Sequence, residues 1–330
     1  MALLDVVGLT VGVKTRSGVV TLIEGVSFSI EAGEVLGLVG ESGAGKSLTG
    51  LALLGLLDPP LRLLKGEVAF EGRRIDALSE AELRPLRGRK IATVFQDSLT
   101  SLNPLMTVEQ QLTETIMTHL PVSKSEAKKR ALQLLSETGI PAPRDRLKSY
   151  PHELSGGMRQ RVVLALAFCC EPKLIVADEP TTALDVSVQA QVIDLFMRMR
   201  EERGTSVLLI AHDMGVIAEA ANRLAVMYAG RIVEVGTARA VLSSPRHPYS
   251  HGLIAAVPRL GARPARLEQI EGTMPRPGQR PAGCSFHPRC PHVMPRCKVR
   301  QPDFFSEGEA NAACWLLEND APPVGPHEHA

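Results

Sequence analysis

The segment Gly40-Glu41-Ser42-Gly43-Ala44-Gly45-Lys46-Ser47 constrains this chain more than any other. It has the spacing G-x-x-x-x-G-K-S, and it lies between an apolar strand candidate, Val35 to Val39, and an apolar helix candidate, Leu48 to Leu57. A strand, a glycine-rich turn and a helix in that order make a phosphate-binding P-loop. Gly40, Gly43 and Gly45 let the backbone turn tightly and aim N–H groups at phosphate oxygens. The helix N-terminus adds partial positive charge. Lys46 can reach the outer phosphates, and the Ser47 hydroxyl can ligate Mg²⁺. A turn that merely caps a helix would leave Lys-Ser in register unexplained. Such a chain is expected to bind a nucleoside triphosphate.

The remaining composition narrows the setting. With 330 residues, 44% of them apolar and 22% charged, the chain can bury a sizeable core as one large domain or two. A formal charge of +1 argues against a strongly basic nucleic-acid surface, and no nucleic-acid partner is expected. Met1-Ala-Leu-Leu-Asp5 lacks a basic leader, and no apolar run is long enough to span a membrane, so a cytoplasmic protein is expected. Six cysteines in that setting are unlike disulfide partners.

Residues 3–30 read as antiparallel strands with a hairpin turn at Arg16-Ser-Gly18. The first helix is expected to stop at Asp58-Pro-Pro60. Further strands are expected at Gly66 to Phe70 and Ile91 to Phe95, the latter ending at Gln96. From about 99 the chain turns helical, with a helix opened by Ser123-Lys-Ser-Glu126 that buries Ala131, Leu134 and Leu135. Strand candidates return at Leu174 to Ala177 and Val207 to Ile210, separated by a helix over Val186–Arg203. This alternation predicts an α/β fold with a parallel sheet and an inserted helical lobe. After Gly236 the pattern loosens, Pro and Gly become frequent, and residues 321–330 read as a disordered tail.

Two further motifs extend the chemistry. Asp178 and Glu179 end an apolar strand, where Asp178 can hold Mg²⁺ and Glu179 can polarise an attacking water as a general base. Leu154-Ser155-Gly156-Gly157-Met-Arg-Gln160 is a second glycine-rich turn, expected to lead into a helix from Arg161 to Cys169. The Ser155 hydroxyl and the Gly156 and Gly157 amides suit a γ-phosphate. A second phosphate cradle without a second lysine points to a head-to-tail dimer, each cradle completing the partner's P-loop site.

The ordered set of P-loop, Gln96, Leu-Ser-Gly-Gly, Asp178-Glu179, Ala183-Leu-Asp185 and His212 resembles the nucleotide-binding subunit of an ATP-binding cassette (ABC) transporter. The resemblance covers roughly residues 3 to 240. It implies a P-loop NTPase fold: a mixed sheet core, an antiparallel β subdomain and an inserted α-helical subdomain at about 99–170. It also implies that Gln96 senses Mg²⁺ and the attacking water and that Asp185 touches the opposing site. His212 resembles the switch histidine on the γ-phosphate. Most such subunits stack an aromatic side chain on adenine; here the matching stretch offers only Val13, so looser discrimination of ATP from GTP is expected.

Val94-Phe-Gln-Asp-Ser-Leu-Thr-Ser-Leu-Asn-Pro104, Pro245-Arg-His-Pro-Tyr-Ser250 and Ala256-Val-Pro258 look like the oligopeptide/dipeptide importer subfamily, which also contains nickel importers. Cys284, Cys290, Cys297 and Cys314 lie in a Pro-rich stretch, while Cys169 and Cys170 read as core. Lacking paired C-x-x-C knuckles, the four fit a zinc ribbon poorly and suit an iron–sulfur cluster. The resemblance implies a 4Fe–4S cluster there, with zinc or unligated thiols as alternatives, and a role in stapling a tail poor in apolar residues.

The expected organisation is an ABC ATPase domain over 1–240, a small Cys-rich C-terminal region over 241–320 and the tail. The expected function is that of the ATP-hydrolysing subunit of a membrane importer for di- or oligopeptides, acting peripherally at the cytoplasmic face. Its expected partners are a second, related ATPase subunit (or a second copy of itself), two transmembrane permease subunits and an extracytoplasmic solute-binding protein. A nickel, glutathione or other small-solute importer, a soluble non-transport cassette ATPase and an iron–sulfur assembly protein are the other readings.

Overall fold

The computed structural model of the chain describes residues 2–16, 18–96, 101–181, 186–212, 214–256, 269–318 and 323–324. The elements begin with β1 (Leu4–Thr15), β2 (Gly18–Ile30), β3 (Val35–Val39), α1 (Lys46–Leu53), β4 (Leu61–Phe70) and β5 (Arg73–Arg74). Then come α2 (Glu80–Leu83), β6 (Ile91–Val94), α3 (Val108–His119), α4 (Lys124–Glu137), α5 (Pro143–Arg146) and α6 (Gly156–Phe168). β7 (Leu174–Asp178), α7 (Val186–Arg203), β8 (Ser206–Ala211), α8 (Met214–Ala220), β9 (Arg223–Tyr228) and β10 (Arg231–Thr237) follow. The chain closes with α9 (Ala238–Ser243), α10 (Pro248–Ala255), β11 (Phe304–Glu307), β12 (Ala310–Ala312) and β13 (Pro323–Val324). No helix among the described residues is long and apolar enough to cross a membrane.

The chain divides into two compact units. The first comprises residues 1–31, 35–77 and 210–330. In it, β1 and β2 form the expected antiparallel hairpin, with Thr15 opposite Gly18, and one sheet has the order β2-β1-β4-β5. The other sheet of this unit has the order β13-β11-β12-β10-β9-β3. It is mixed, because β3 and β9 run parallel while β9, β10, β12 and β11 pair antiparallel. β3 is buried at every residue, which explains its unbroken apolar run. α8 packs on β3, and α9 packs on β9 and β10.

The second unit comprises residues 32–34 and 78–209. β6 and β7 pair in parallel, Ile91 opposite Leu174, and β8 lies beside β7. α3, α4 and α6 pack on one another, and α6 also packs on β6 and α7. Ala131, Leu134 and Leu135 are buried on α4 as their spacing predicts, and Ser123 Oγ caps the helix by accepting from Glu126 N. Cys169 and Cys170 are fully buried.

Several local expectations are corrected. α1 ends at Leu53, well before the prolines, because Gly55 takes a left-handed φ of 63°. There Gly55 N donates to Ala52 O and Leu56 N to Leu51 O, the paired bonds of a Schellman cap. α6 begins at Gly156 and not Arg161: Ser155 is its N-cap and accepts from Met158 N, so Gly156 and Gly157 form the first turn of a helix and are no longer a loop. The loosened stretch after Gly236 holds short paired strands. β12 pairs with β10, Glu234 opposite Ala312, and β11 pairs with β12 through a turn at Gly308. The short strands carry too little periodicity to stand out in the sequence.

Candidate functional site

The P-loop is built by its neighbours as much as by its own glycines. β3 delivers the chain to Gly40, whose φ of 151° and contact with the Met227 carbonyl leave no room for a Cβ. Gly45 is the N-cap of α1 with φ 104°. The first N–H groups of α1 therefore open on the loop, where an α-helix has no internal partners for them. Lys46 is 5% exposed and folds back into the loop, its Nζ donating to Gly40 O at 2.8 Å and Glu41 O at 3.1 Å. Ala44 is fully buried, with its N–H on Glu41 O. The loop is a concave cradle of backbone donors with an ammonium inside it, which suits a polyphosphate.

Residues that sequence reasoning passed over hold this cradle from outside. Glu41 N donates to Tyr249 Oη at 2.8 Å. The Glu41 carboxylate takes a bidentate pair of bonds from Arg289, at 2.9 and 3.0 Å. His247 is 2% exposed, and its Nδ1 accepts from Tyr249 N at 3.0 Å, capping α10. Burial lowers its pKa from 6.5 to about 3. Glu234, with no exposed surface, accepts from Arg246 N and His247 N; burial pushes its carboxyl up although these bonds oppose it. The motif His247-Pro-Tyr249, which the sequence marks only by its resemblance to the importer subfamily, is thus a buried hydrogen-bonded knot. Pro-Arg289-Cys290-Pro drew attention for its cysteine, whereas its arginine makes the contact.

Val13 lies half-buried on β1, opposite Val20 and Leu61. His212 is exposed, just after β8. In the second unit, Asp178 is the last residue of β7, and Glu179 follows in a left-handed conformation with φ 47°. That region is costly for a residue with a Cβ and is found where a side chain must be aimed. Gln96 Nε2 donates to Glu179 Oε2 at 2.9 Å, so the structure brings these two predicted residues together. Gln160, 3% exposed on α6, donates to Pro180 O and ties the Ser155-Gly156-Gly157 helix to the turn that carries Glu179. Asp185 lies outside the described residues, as do part of the stretch after Gln96, Val257 and Pro258, and most of the tail.

Cys284, Cys290, Cys297 and Cys314 all line one small cavity, together with His287, His292, Met294 and Trp315. Cys284 N donates to Cys297 O, which draws two of the four together. Burial pushes the Cys314 thiol up to about 12 and raises those of Cys284 and Cys290. Among the described residues, no group of three or more His, Cys, Asp or Glu is placed to hold a metal ion.

The comparisons with known proteins agree with this geometry. Residues 23–182 match the ABC transporter family model, and residues 233–297 match the oligopeptide/dipeptide transporter C-terminal region. The chain is 43% identical to the dipeptide transport ATP-binding protein DppD of Escherichia coli, over 98% of this chain and 100% of that protein. It is 48% identical to the oligopeptide transport ATP-binding protein OppD of Salmonella typhimurium, over 96% of this chain and 94% of that one. The dimeric post-hydrolysis structure of the ATP-binding cassette MJ0796, bound to ADP and Pi, superposes with a TM-score of 0.64 at 29% identity. It covers 72% of this chain and 99% of its own. The chain therefore belongs to the ABC transporter family, as one of its ATP-hydrolysing subunits.

Proposed function

We propose that this protein energises the uptake of di- and oligopeptides, hydrolysing ATP at the cytoplasmic face of a membrane while separate permease subunits carry the solute. The observation that carries this reading is that similarity to peptide-transport ATP-binding proteins runs through nearly the whole chain, including the C-terminal region. Residues 1–240 serve as the ATPase domain, with a helical subdomain at about 99–170, and 241–320 as the C-terminal region. The functional complex holds two ATPase subunits, this chain and a related partner, with two permeases and an extracytoplasmic solute-binding protein.

The roles follow from the donors on hand. Gly40 to Ser47 wrap the phosphates, and Lys46 exchanges its carbonyl partners for phosphate oxygens of similar hydrogen-bonding capacity. Ser47, Gln96 and Asp178 would hold Mg²⁺, which would neutralise charge on the β- and γ-phosphates. Glu179, aimed by its left-handed backbone and hydrogen-bonded to Gln96, accepts the proton of the attacking water. His212 contacts the γ-phosphate, and Val13 packs on adenine. Ser155, Gly156 and Gly157 at the start of α6, with Asp185, face the nucleotide held by the partner subunit. ATP then joins the two subunits, and loss of the γ-phosphate removes the contacts that join them.

The four cysteines would be the ligands of a 4Fe–4S cluster, a reading supported by their lining one common cavity. Such a cluster would supply the positive charge that lets four neighbouring thiols, two of them buried, ionise together.

Glu179→Gln tests the assignment in complex with the natural partner and permeases. Steady-state hydrolysis is expected to fall by about two to four orders of magnitude, as for loss of a general base, with ATP still bound. Undiminished hydrolysis would remove Glu179 from this role. Peptide uptake into vesicles that tracks ATP consumption tests the transport reading, and absence of uptake by the full complex refutes it.

A further inference from the structure

We infer that Arg289, with Tyr249, is a positioning residue of the ATPase site: the C-terminal region braces the P-loop at its second residue. This rests on the reading of Gly40 to Ser47 as the phosphate cradle. The brace grips Glu41 at both ends. Its backbone N–H is held by the Tyr249 hydroxyl, and its carboxylate by the two-pronged guanidinium of Arg289.

Arg289 is itself immobilised. Its side chain is 6% exposed, and its remaining N–H groups donate to Ile270 O at 3.1 Å, Glu271 O at 2.8 Å and the Tyr228 hydroxyl at 3.4 Å. The guanidinium carbon lies 5.8 Å from the Tyr228 ring centroid and 6.0 Å from that of Phe286. Tyr249 is fully buried, its ring centroid 4.6 Å from that of Tyr228. Both side chains of the C-terminal region that grip Glu41 are therefore fixed before any nucleotide arrives.

The chemistry gives this arrangement a purpose. A P-loop binds by presenting N–H groups in a fixed fan, and any freedom it has must be removed when phosphate binds. A rigid bidentate ion pair on the residue after Gly40 removes that freedom beforehand, so the gain appears in nucleotide affinity. The brace also puts a negative side chain next to a site for a polyanion, and Arg289 neutralises it there. The C-terminal region thereby takes a share in ATP binding, beyond any stapling by a cluster.

The test uses the purified full-length chain with Mg²⁺ and a fluorescent ATP analogue, and steady-state hydrolysis in the complete complex. Arg289→Ala is expected to raise Kd and KM about tenfold, the scale of one charge-assisted pair, with kcat within about twofold. Glu41→Ala is expected to raise Kd by a like factor, and the double variant no more than either alone. Arg289→Lys, which keeps the charge and loses the fork, is expected to fall between. Unchanged affinity in Arg289→Ala, or losses that multiply in the double variant, would overturn the brace. Should Arg289→Ala fail to fold, Glu41→Gln carries the same test, and an unchanged Kd there also overturns it. Lys46→Ala is the control: retained nucleotide binding in that variant would refute the P-loop reading itself, independently of Arg289.

Discussion

Acid is expected to weaken this protein through one buried imidazole, and the size of the effect can be worked out. Tyr249 N is a donor and nothing else, so His247 Nδ1 must accept and the ring proton must sit on Nε2. Protonating Nδ1 would turn a capping acceptor against an N–H at the positive end of α10. Burial holds the folded-state pKa near 3 against the ordinary 6.5, and the cap acts in the same direction. The depressed value fixes the sign: above pH 6.5 both folded and unfolded chains carry neutral His247, and the contribution is fully present. As pH falls from 6.5 towards 3, only the unfolded chain takes up the proton, and stability is lost. Each pH unit is worth ~1.4 kcal/mol, so ~3 kcal/mol is gone by about pH 4.5 and ~5 kcal/mol over the whole interval. That is large beside the 5–15 kcal/mol of a typical domain.

Glu234 works in the opposite direction, since a carboxyl raised by burial favours the folded state in acid. Comparison with His247→Gln cancels it, because glutamine offers an acceptor but takes no proton. The assay is urea unfolding followed by fluorescence of Trp315, the single tryptophan, at several pH values. The stability difference between wild type and His247→Gln is expected to shrink, in favour of the variant, by ~3 kcal/mol between pH 7 and about pH 4.5. A difference that stays flat over that range would refute the burial argument.

Two other substitutions have clear outcomes. Gly40→Ala puts a Cβ against the Met227 carbonyl, a backbone atom that cannot rotate aside, at a φ that L-residues rarely adopt. A strain of about 1–3 kcal/mol or more is expected, read as a lowered melting temperature and weaker ATP binding; unaltered values of both would contradict the geometry. Val13→Tyr supplies the missing aromatic surface and is expected to sharpen the preference for ATP over GTP in competition binding. An unchanged ratio counts against Val13 as the adenine contact.

What the sequence made legible was chemistry carried by residues close together along the chain. The P-loop, the strand ending in Asp178-Glu179 and the Val186–Arg203 helix rest on spacing and local propensity, and each took the predicted form. Gly55 was readable in principle as a helix stop, but the prolines beyond it gave a louder signal. The Ser155 cap is a common N-terminus pattern obscured by two glycines that look like a loop. The Glu41–Arg289 pair was out of reach for a different reason: its partners stand 248 positions apart, and nothing local marks an arginine as belonging to a loop near the start of the chain. His247 and Glu234 were hidden similarly, because a histidine in a Pro-rich stretch and a glutamate between two valines of a strand both read as exposed until their burial is seen.

The pairing of β12 on β10 has a consequence for how the protein is made. Until β12 arrives, β10 presents Ile232, Val233 and Val235 along an open sheet edge, a template for any other extended chain. About 75 residues separate the end of β10 from the end of β12. At roughly 5–20 residues per second, that edge stays open for about 4–15 seconds of synthesis. A chain truncated before Ala310 would keep it open permanently, so the tail also serves as a terminator of sheet growth.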